Sequence, residues 1–153
     1  GIIGTGTQGL IGTGTSSLPV VAQGEVSETG KDYVVVAGQK VALSSATTGD
    51  LSLNVGEFAR VTGLVYDGGI QAESVSRVDA DLMYLGQLEM EVSGIVSEVD
   101  RSVGTAKLGK LLIDLNDLDS TTRDAIEAGS YIEVSSSYQA FVERVVPNGI
   151  YLE

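Results

Sequence analysis

A chain of 153 residues is long enough for one ordinary domain or two small ones, since domains have a mode of roughly 100 to 150 residues and many fold at about 60. Its 21 acidic and 9 basic residues leave a formal charge of −12, a field that opposes nucleic acid, which needs a basic groove to release counterions, and anionic membrane surfaces. The chain has no Cys and no His, which removes thiolate catalysis, imidazole acid–base work and the common zinc sites, and no run of about 18 apolar residues offers a transmembrane span.

Residues 1–19 form a segment rich in Gly and Thr. Ile2-Ile3-Gly4-Thr5-Gly6-Thr7-Gln8-Gly9 fits the G-x-G-x-x-G pattern of a dinucleotide loop, but that loop needs a strand before it and a helix after it to hold phosphate. Only three residues precede Gly4, and Leu10-Ile11-Gly12-Thr13-Gly14 is a poor helix. No cofactor is expected. The segment is instead a tandem of apolar pairs, Ile2-Ile3 and Leu10-Ile11, each followed by Gly-Thr-Gly-Thr. Two readings stay open: residues 2–17 self-associate by strand addition, or they form a flexible tether.

Residues 20–79 read as a first β domain. Val20, Ala22, Gly24 and Val26 alternate with Val21, Gln23, Glu25 and Ser27, the period that places one strand face on a core. A turn at Thr29–Asp32 leads to Tyr33–Val36, and Ala37-Gly38 turns the chain into Gln39–Leu43. A long strand from Glu57 to Tyr66 turns at Asp67-Gly68-Gly69 and returns as Ile70–Val78, giving about five strands.

After a connection at 80–89, residues 90–153 read as a second copy. Gly24–Glu28 returns as Gly94–Glu98, an offset of 70; Gly56 returns as Gly129, an offset of 73; Gly69–Glu73 returns as Gly149–Glu153, an offset of 80. The expected strands are Met90–Val99, Gly104–Leu108 and Lys110–Leu115, then one starting at Tyr131 that hairpins back through Pro147-Asn148-Gly149. Between them a short helix is expected, capped by Ser120 or Thr121, with Asp124 in its first turn and Gly129 at its C-terminal turn. A three-strand meander, a short helix and a hairpin is the order of an OB-type barrel. The expected fold is all-β, two tandem small OB-like five-stranded barrels, with one larger barrel or sandwich sharing a single core as the alternative.

Ile3-Gly4-Thr5-Gly6, Gly24-Glu25-Val26, Lys40-Val41, Leu53–Glu57 leading into Arg60-Val61-Thr62-Gly63, and Ala72-Glu73 resemble the bacterial family named domain of unknown function 5666. The resemblance covers the first copy more closely than the second. It implies OB-like β repeats behind a Gly-Thr-Gly leader, in exported and sometimes lipoprotein-type proteins of the periplasm or cell envelope, the export signal lying outside these residues. It carries over no catalytic residues.

Asp114, Asp117 and Asp119 form the densest acidic cluster and are the candidate ligands for a hard cation. The calcium-loop pattern fails there: Leu118 and Ala128 stand where ligands belong. Paired carboxylates of a carbohydrate-active hydrolase have candidates in Glu25 with Glu28 and Glu89 with Glu91, with nothing to single out either pair. Tyr33, Tyr138 and Tyr151 are the candidate platforms for a bound oligosaccharide or protein. The expectation is a non-enzymatic binding or scaffolding module of the bacterial envelope, with the small hydrolase as its rival.

Overall fold

A computed structural model describes residues 18–140 and 144–153; the Gly/Thr repeat at 2–17 lies outside the described residues. The order of elements is β1 (Val20–Thr29), β2 (Tyr33–Val36), β3 (Gln39–Ala42), β4 (Thr48–Gly49), β5 (Phe58–Tyr66), β6 (Gly69–Val78), α1 (Ala80–Tyr84), β7 (Met90–Ile95), β8 (Glu98–Asp100), β9 (Thr105–Leu108), β10 (Leu111–Asp114), α2 (Ser120–Ala125), β11 (Tyr131–Ser136), β12 (Arg144–Val145) and β13 (Gly149–Leu152). The fold is mostly β, with two short helices.

Five strands close a ring. β1 pairs with β2, β2 with β3, β5 with β1 and with β6, all antiparallel, and β3 joins β6 in parallel through Val41↔Ile70. Alternation of apolar and polar residues along β1 and β5 sends Val26, Ala59 and Val61 inward, each at most 1% exposed. The bulge between Thr62 and Gly63 bends β5, as closing so few strands requires.

Several pairings among the remaining strands echo these at offsets of 70 to 75 residues. Gly24↔Ala59 and Glu25↔Phe58 correspond to Gly94↔Ile132 and Ile95↔Tyr131. Val34↔Val41 corresponds to Ala106↔Ile113, and Val41↔Ile70 to Ile113↔Val145. Backbone bonds outside the ladders repeat too: Val26 N donates to Glu57 O and Gly56 N to Val26 O, as Val96 N donates to Ser130 O and Gly129 N to Val96 O. Gly56 and Gly129 hold φ of +96° and +94°, a left-handed geometry that glycine enters without a Cβ penalty.

This register moves one of the correspondences read from the sequence. Val61↔Val75 matches Val134↔Ile150 and Ala59↔Arg77 matches Ile132↔Leu152, so Val75 corresponds to Ile150, and Gly149 does not correspond to Gly69. The final strand is also broken: β12 and β13 flank Val146-Pro147-Asn148, where proline cannot donate to a ladder. The strand expected at Met90–Val99 is likewise split between β7 and β8.

The helices differ from expectation in detail. The cap of α2 is Asp119, whose carboxylate accepts from Thr122 N at 2.8 Å, one residue before the expected Ser120 or Thr121. The helix stops at Ile126, whose side chain is fully buried and whose backbone is already extended (ψ 124°); burying it outweighs another turn, and Gly129 falls in the following loop. The segment 80–89, expected as a plain connection, holds α1, with Asp79 accepting from Asp81 N and Met83 buried.

The two halves meet along one seam. β1 pairs with β7 through Ala22↔Val92 and Gln23↔Glu91, and one hydrophobic cluster draws on both halves, from Val21 to Val145. At the other end of the seam the turns of two hairpins touch: Lys110 N donates to Gly38 O at 2.9 Å, and the buried Gln39 Nε2 donates to Ala37 O and Leu108 O at 3.2 and 2.9 Å. Gly109 sits at φ +61°, where a Cβ would lie 2.5 Å from Gly38 O and 2.6 Å from the Gln39 amide. Gly109→Val is expected to cost at least about 1–2 kcal/mol for the left-handed backbone alone. Urea unfolding checks this, and an unchanged midpoint would mean that the turns do not touch in solution.

Candidate functional site

A cleft of about 670 Å³ opens on the seam. Its origin is visible in the register. In the first ring, β5 and β6 pair without a gap from Phe58↔Val78 to Tyr66↔Gly69, the last four pairs following the bulge. In the second half, β11 and β13 pair from Ile132↔Leu152 to Ser135↔Gly149 and stop there. The positions that would continue the ladder, Ser136–Gln139 and Arg144–Val146, splay out of ladder pairing and line the cleft, with Asn148 Nδ2 donating to Ser137 Oγ at 3.2 Å across it.

Two residues account for the splaying. Ser136 stands where the first ring has Gly63, and at Gly63 a Cβ would meet Gln71 O at 2.2 Å. A closed hairpin at this point therefore admits only glycine. Ser136 keeps its distance and donates its hydroxyl to Val146 O at 3.0 Å, Val146 being the counterpart of Gln71. Pro147 stands where the first ring has Ala72, the partner of Gly63, and brings no N–H. Among the described residues β12 pairs on one side, with β10.

The cleft floor is apolar, with Met90, Leu111 and Val145. Among the described residues its aromatic is Tyr138, one of the three candidate platforms. Tyr138 and Phe58 lie 4.9 Å apart and Tyr84 packs on both, at 5.4 Å from Phe58 and 5.7 Å from Tyr138, all with steeply inclined rings. The Tyr138 hydroxyl donates to Glu25 Oε1 at 2.6 Å. Burial, then this bond, pushes its pKa well above the ordinary phenol value, so it stays protonated at neutral pH. Lys110 and Arg144 supply the cations of the cleft, and each already has a partner: Lys110 Nζ is 3.1 Å from Glu28 and Arg144 Nε 3.5 Å from Asp114. Asn148 Nδ2 donates to Glu89 Oε2 at 2.6 Å.

The other candidates lie apart. Tyr33 donates its hydroxyl to Glu28 and carries the Lys40 ammonium 4.9 Å over its ring; the hydrogen bond to Tyr33 and then Lys110 hold the Glu28 carboxyl below its usual range. Tyr33 borders a separate cavity of about 60 Å³. Tyr151, half exposed, borders a shallow groove across β7, β11 and β13. Two of the acidic candidates are engaged separately: Asp114 accepts from Asn116 N and Nδ2, and Asp119 caps α2. Among the described residues no three carboxylates gather into a metal-binding group. Of the hydrolase pairs, Glu28 is taken up by Tyr33 and Lys110, and Glu25 is the carboxylate that lines the cleft among the described residues.

No family model, curated protein or solved structure matches this chain. No helix is long and apolar enough to cross a membrane, among the described residues.

One further tyrosine responds to pH. Burial first, and its hydrogen bond to Glu133 second, push the Tyr131 phenol up to about 12. An unfolded chain titrates near pH 10, so between there and about 12 it binds fewer protons than the folded one, and stability falls as pH rises through that window. Tyr131→Phe is expected to flatten the alkaline slope of stability, measured by urea unfolding at stepped pH; an unchanged slope would place the phenol in water.

Proposed function

We propose that the chain is a tandem of two OB-like five-stranded barrels, residues 20–79 and 90–153 joined by 80–89, serving as a non-enzymatic binding module of the bacterial envelope. The strand order of the first ring, 1-2-3-5-4 with a parallel closure between its third and fifth strands, supports the OB-like reading. The recurrence of its pairings at offsets of 70 to 75 residues supports the tandem. The resemblance to domain of unknown function 5666 supports an exported location. The observation that carries the function is the splayed hairpin: the second unit departs from the first where the cleft opens.

Binding is favoured over hydrolysis by the chemistry of that cleft. A paired-carboxylate mechanism needs two carboxyls about 5 to 9 Å apart, one ready to donate a proton. The lining offers Glu25, already accepting from Tyr138, and the hydroxyls of Ser136 and Ser137 have no imidazole in the chain to activate them.

The test is an amide NMR titration of the full chain with two probe sets, peptidoglycan-type oligosaccharides and short peptides. Shifts confined to Ser136–Gln139, Arg144–Asn148 and Lys110 are expected from at least one set. Shifts elsewhere, or none at millimolar probe, would overturn the cleft as the binding site.

A further inference from the structure

We propose that Asn148 is a site of spontaneous covalent modification, where attack by the Gly149 nitrogen turns the side-chain amide into a carboxylate and releases the segment at 144–149 from the connection at 80–89. The inference does not depend on what the cleft binds. Three observations carry it.

The first is the sequence at the break between β12 and β13. Of the three asparagines, Asn54, Asn116 and Asn148, the last alone precedes a glycine. Glycine has no Cβ to shield its nitrogen, whereas Val55 is β-branched and Asp117 carries a charged side chain. Asn148 and Gly149 are both exposed, and Gly149 is the first residue of β13, at the end of a ladder where local opening costs least. The backbone does not demand glycine there: its φ is not left-handed, and a Cβ would meet Ser135 Oγ at 3.0 Å, a side chain that can turn aside.

The second is the chemistry open to that pair. Gly149 N forms a bond to Asn148 Cγ, the Cγ–Nδ2 bond breaks, and ammonia leaves with the proton of the Gly149 N–H. Water then opens the five-membered imide at either carbonyl, giving aspartate or isoaspartate. Nothing is oxidised or reduced, and solvent is the co-reactant.

The third is what the amide holds. Its Nδ2 donates to Glu89 Oε2 at 2.6 Å and to Ser137 Oγ at 3.2 Å, fastening this segment to the connection and to the arm that follows β11. A carboxylate has no N–H to give. It would face Glu89 as a like charge at hydrogen-bond distance, and the ion pairs among the described residues bring no cation to Glu89. Glu89 is itself pinned, because its carbonyl accepts from the buried Gln23 Nε2 at 2.8 Å. The segment at 144–149 is therefore the side that gives way, and Ser137 and Val146 in the cleft wall shift with it.

The experiment ages the full chain in mildly alkaline buffer and follows each asparagine by peptide mapping, with isoaspartate detected by enzymatic methylation. Conversion at Asn148 is expected to run about tenfold or more ahead of Asn54 and Asn116, and to slow by a similar factor in Gly149→Ala, which shields the nitrogen. In the aged protein the amide NMR signals of residues 85–89 and 136–139 are expected to shift. Asn148→Asp should reproduce those shifts, and Glu89→Gln added to it should reverse them, since glutamine removes the repulsion and donates to the new carboxylate. Equal conversion at the three asparagines would overturn the site. Conversion that leaves the signals at 85–89 and 136–139 in place would overturn the release, and this readout uses the unsubstituted chain, so it stands whether or not the variants fold.

Discussion

Phe58→Ala is expected to lower the unfolding free energy by about 3–5 kcal/mol, the usual cost of truncating a buried phenylalanine. Phe58 is 1% exposed. Its backbone lies in the ring, paired with Glu25 on one side and Val78 on the other, so the surroundings cannot collapse onto the space the ring leaves. The change also removes the edge contacts to Tyr84 and Tyr138, worth about 0.5–1.5 kcal/mol each beyond area. Against a typical total of about 5–15 kcal/mol, this variant stands near the threshold of folding. Urea unfolding followed by far-ultraviolet circular dichroism measures it, and Phe58→Leu should recover more than half of the loss. A cost under about 2 kcal/mol would show that the aromatic trio packs loosely. In the surviving folded fraction the Tyr138 phenol should titrate closer to its ordinary value, since burial is the main cause of its rise.

The second large effect is expected at Gln39. Its side-chain amide is 4% exposed and donates to one carbonyl in each half, Ala37 O and Leu108 O. Gln39→Leu removes both bonds at similar volume and is expected to cost about 1–3 kcal/mol, the penalty for buried acceptors that lose their donor. Gln39→Glu is expected to cost about 3–5 kcal/mol at neutral pH, because it buries an uncompensated charge against two carbonyl dipoles. Burial raises the carboxyl's pKa in the folded state, so stability is highest below the unfolded pKa of about 4.3 and falls as pH rises. Melting temperatures of the two variants compared at acid and neutral pH separate them; equal losses at both would mean that water reaches the side chain.

Much of the fold was legible. The period of two in Val20–Ser27 and the turn residues Ala37-Gly38 and Asp67-Gly68-Gly69 mark the strands and hairpins of the first ring because local geometry dictates them. On the proposed tandem reading the site was less legible, because it arises from a difference that shows only when the two units are correctly aligned. Matching Gly149 to Gly69 hides that difference. Matching Val145 to Ile70 sets Ser136 against Gly63 and Pro147 against Ala72, and the cause of the open hairpin can then be read in the sequence. Of the three tyrosines, Tyr138 is distinguished only by packing: Phe58 and Tyr84 reach it from distant parts of the chain. The seam could not be read, since the meeting of Gly38 with Lys110 is a long-range contact that no local pattern announces.

That seam has a symmetry consequence. Ala22 pairs with Val92 and Gly38 accepts from Lys110, and each of these residues is thus joined to its own counterpart, the mark of an isologous, two-fold contact of the kind that builds homodimers. Such a dimer would assemble only above its dissociation constant, and it would carry two open hairpins or two closed ones. Joining both units in one chain replaces that concentration dependence with an effective concentration set by the short link at 80–89. On the proposed tandem reading it also lets the units diverge, so that one can remain a closed ring while the other gives up ladder bonds.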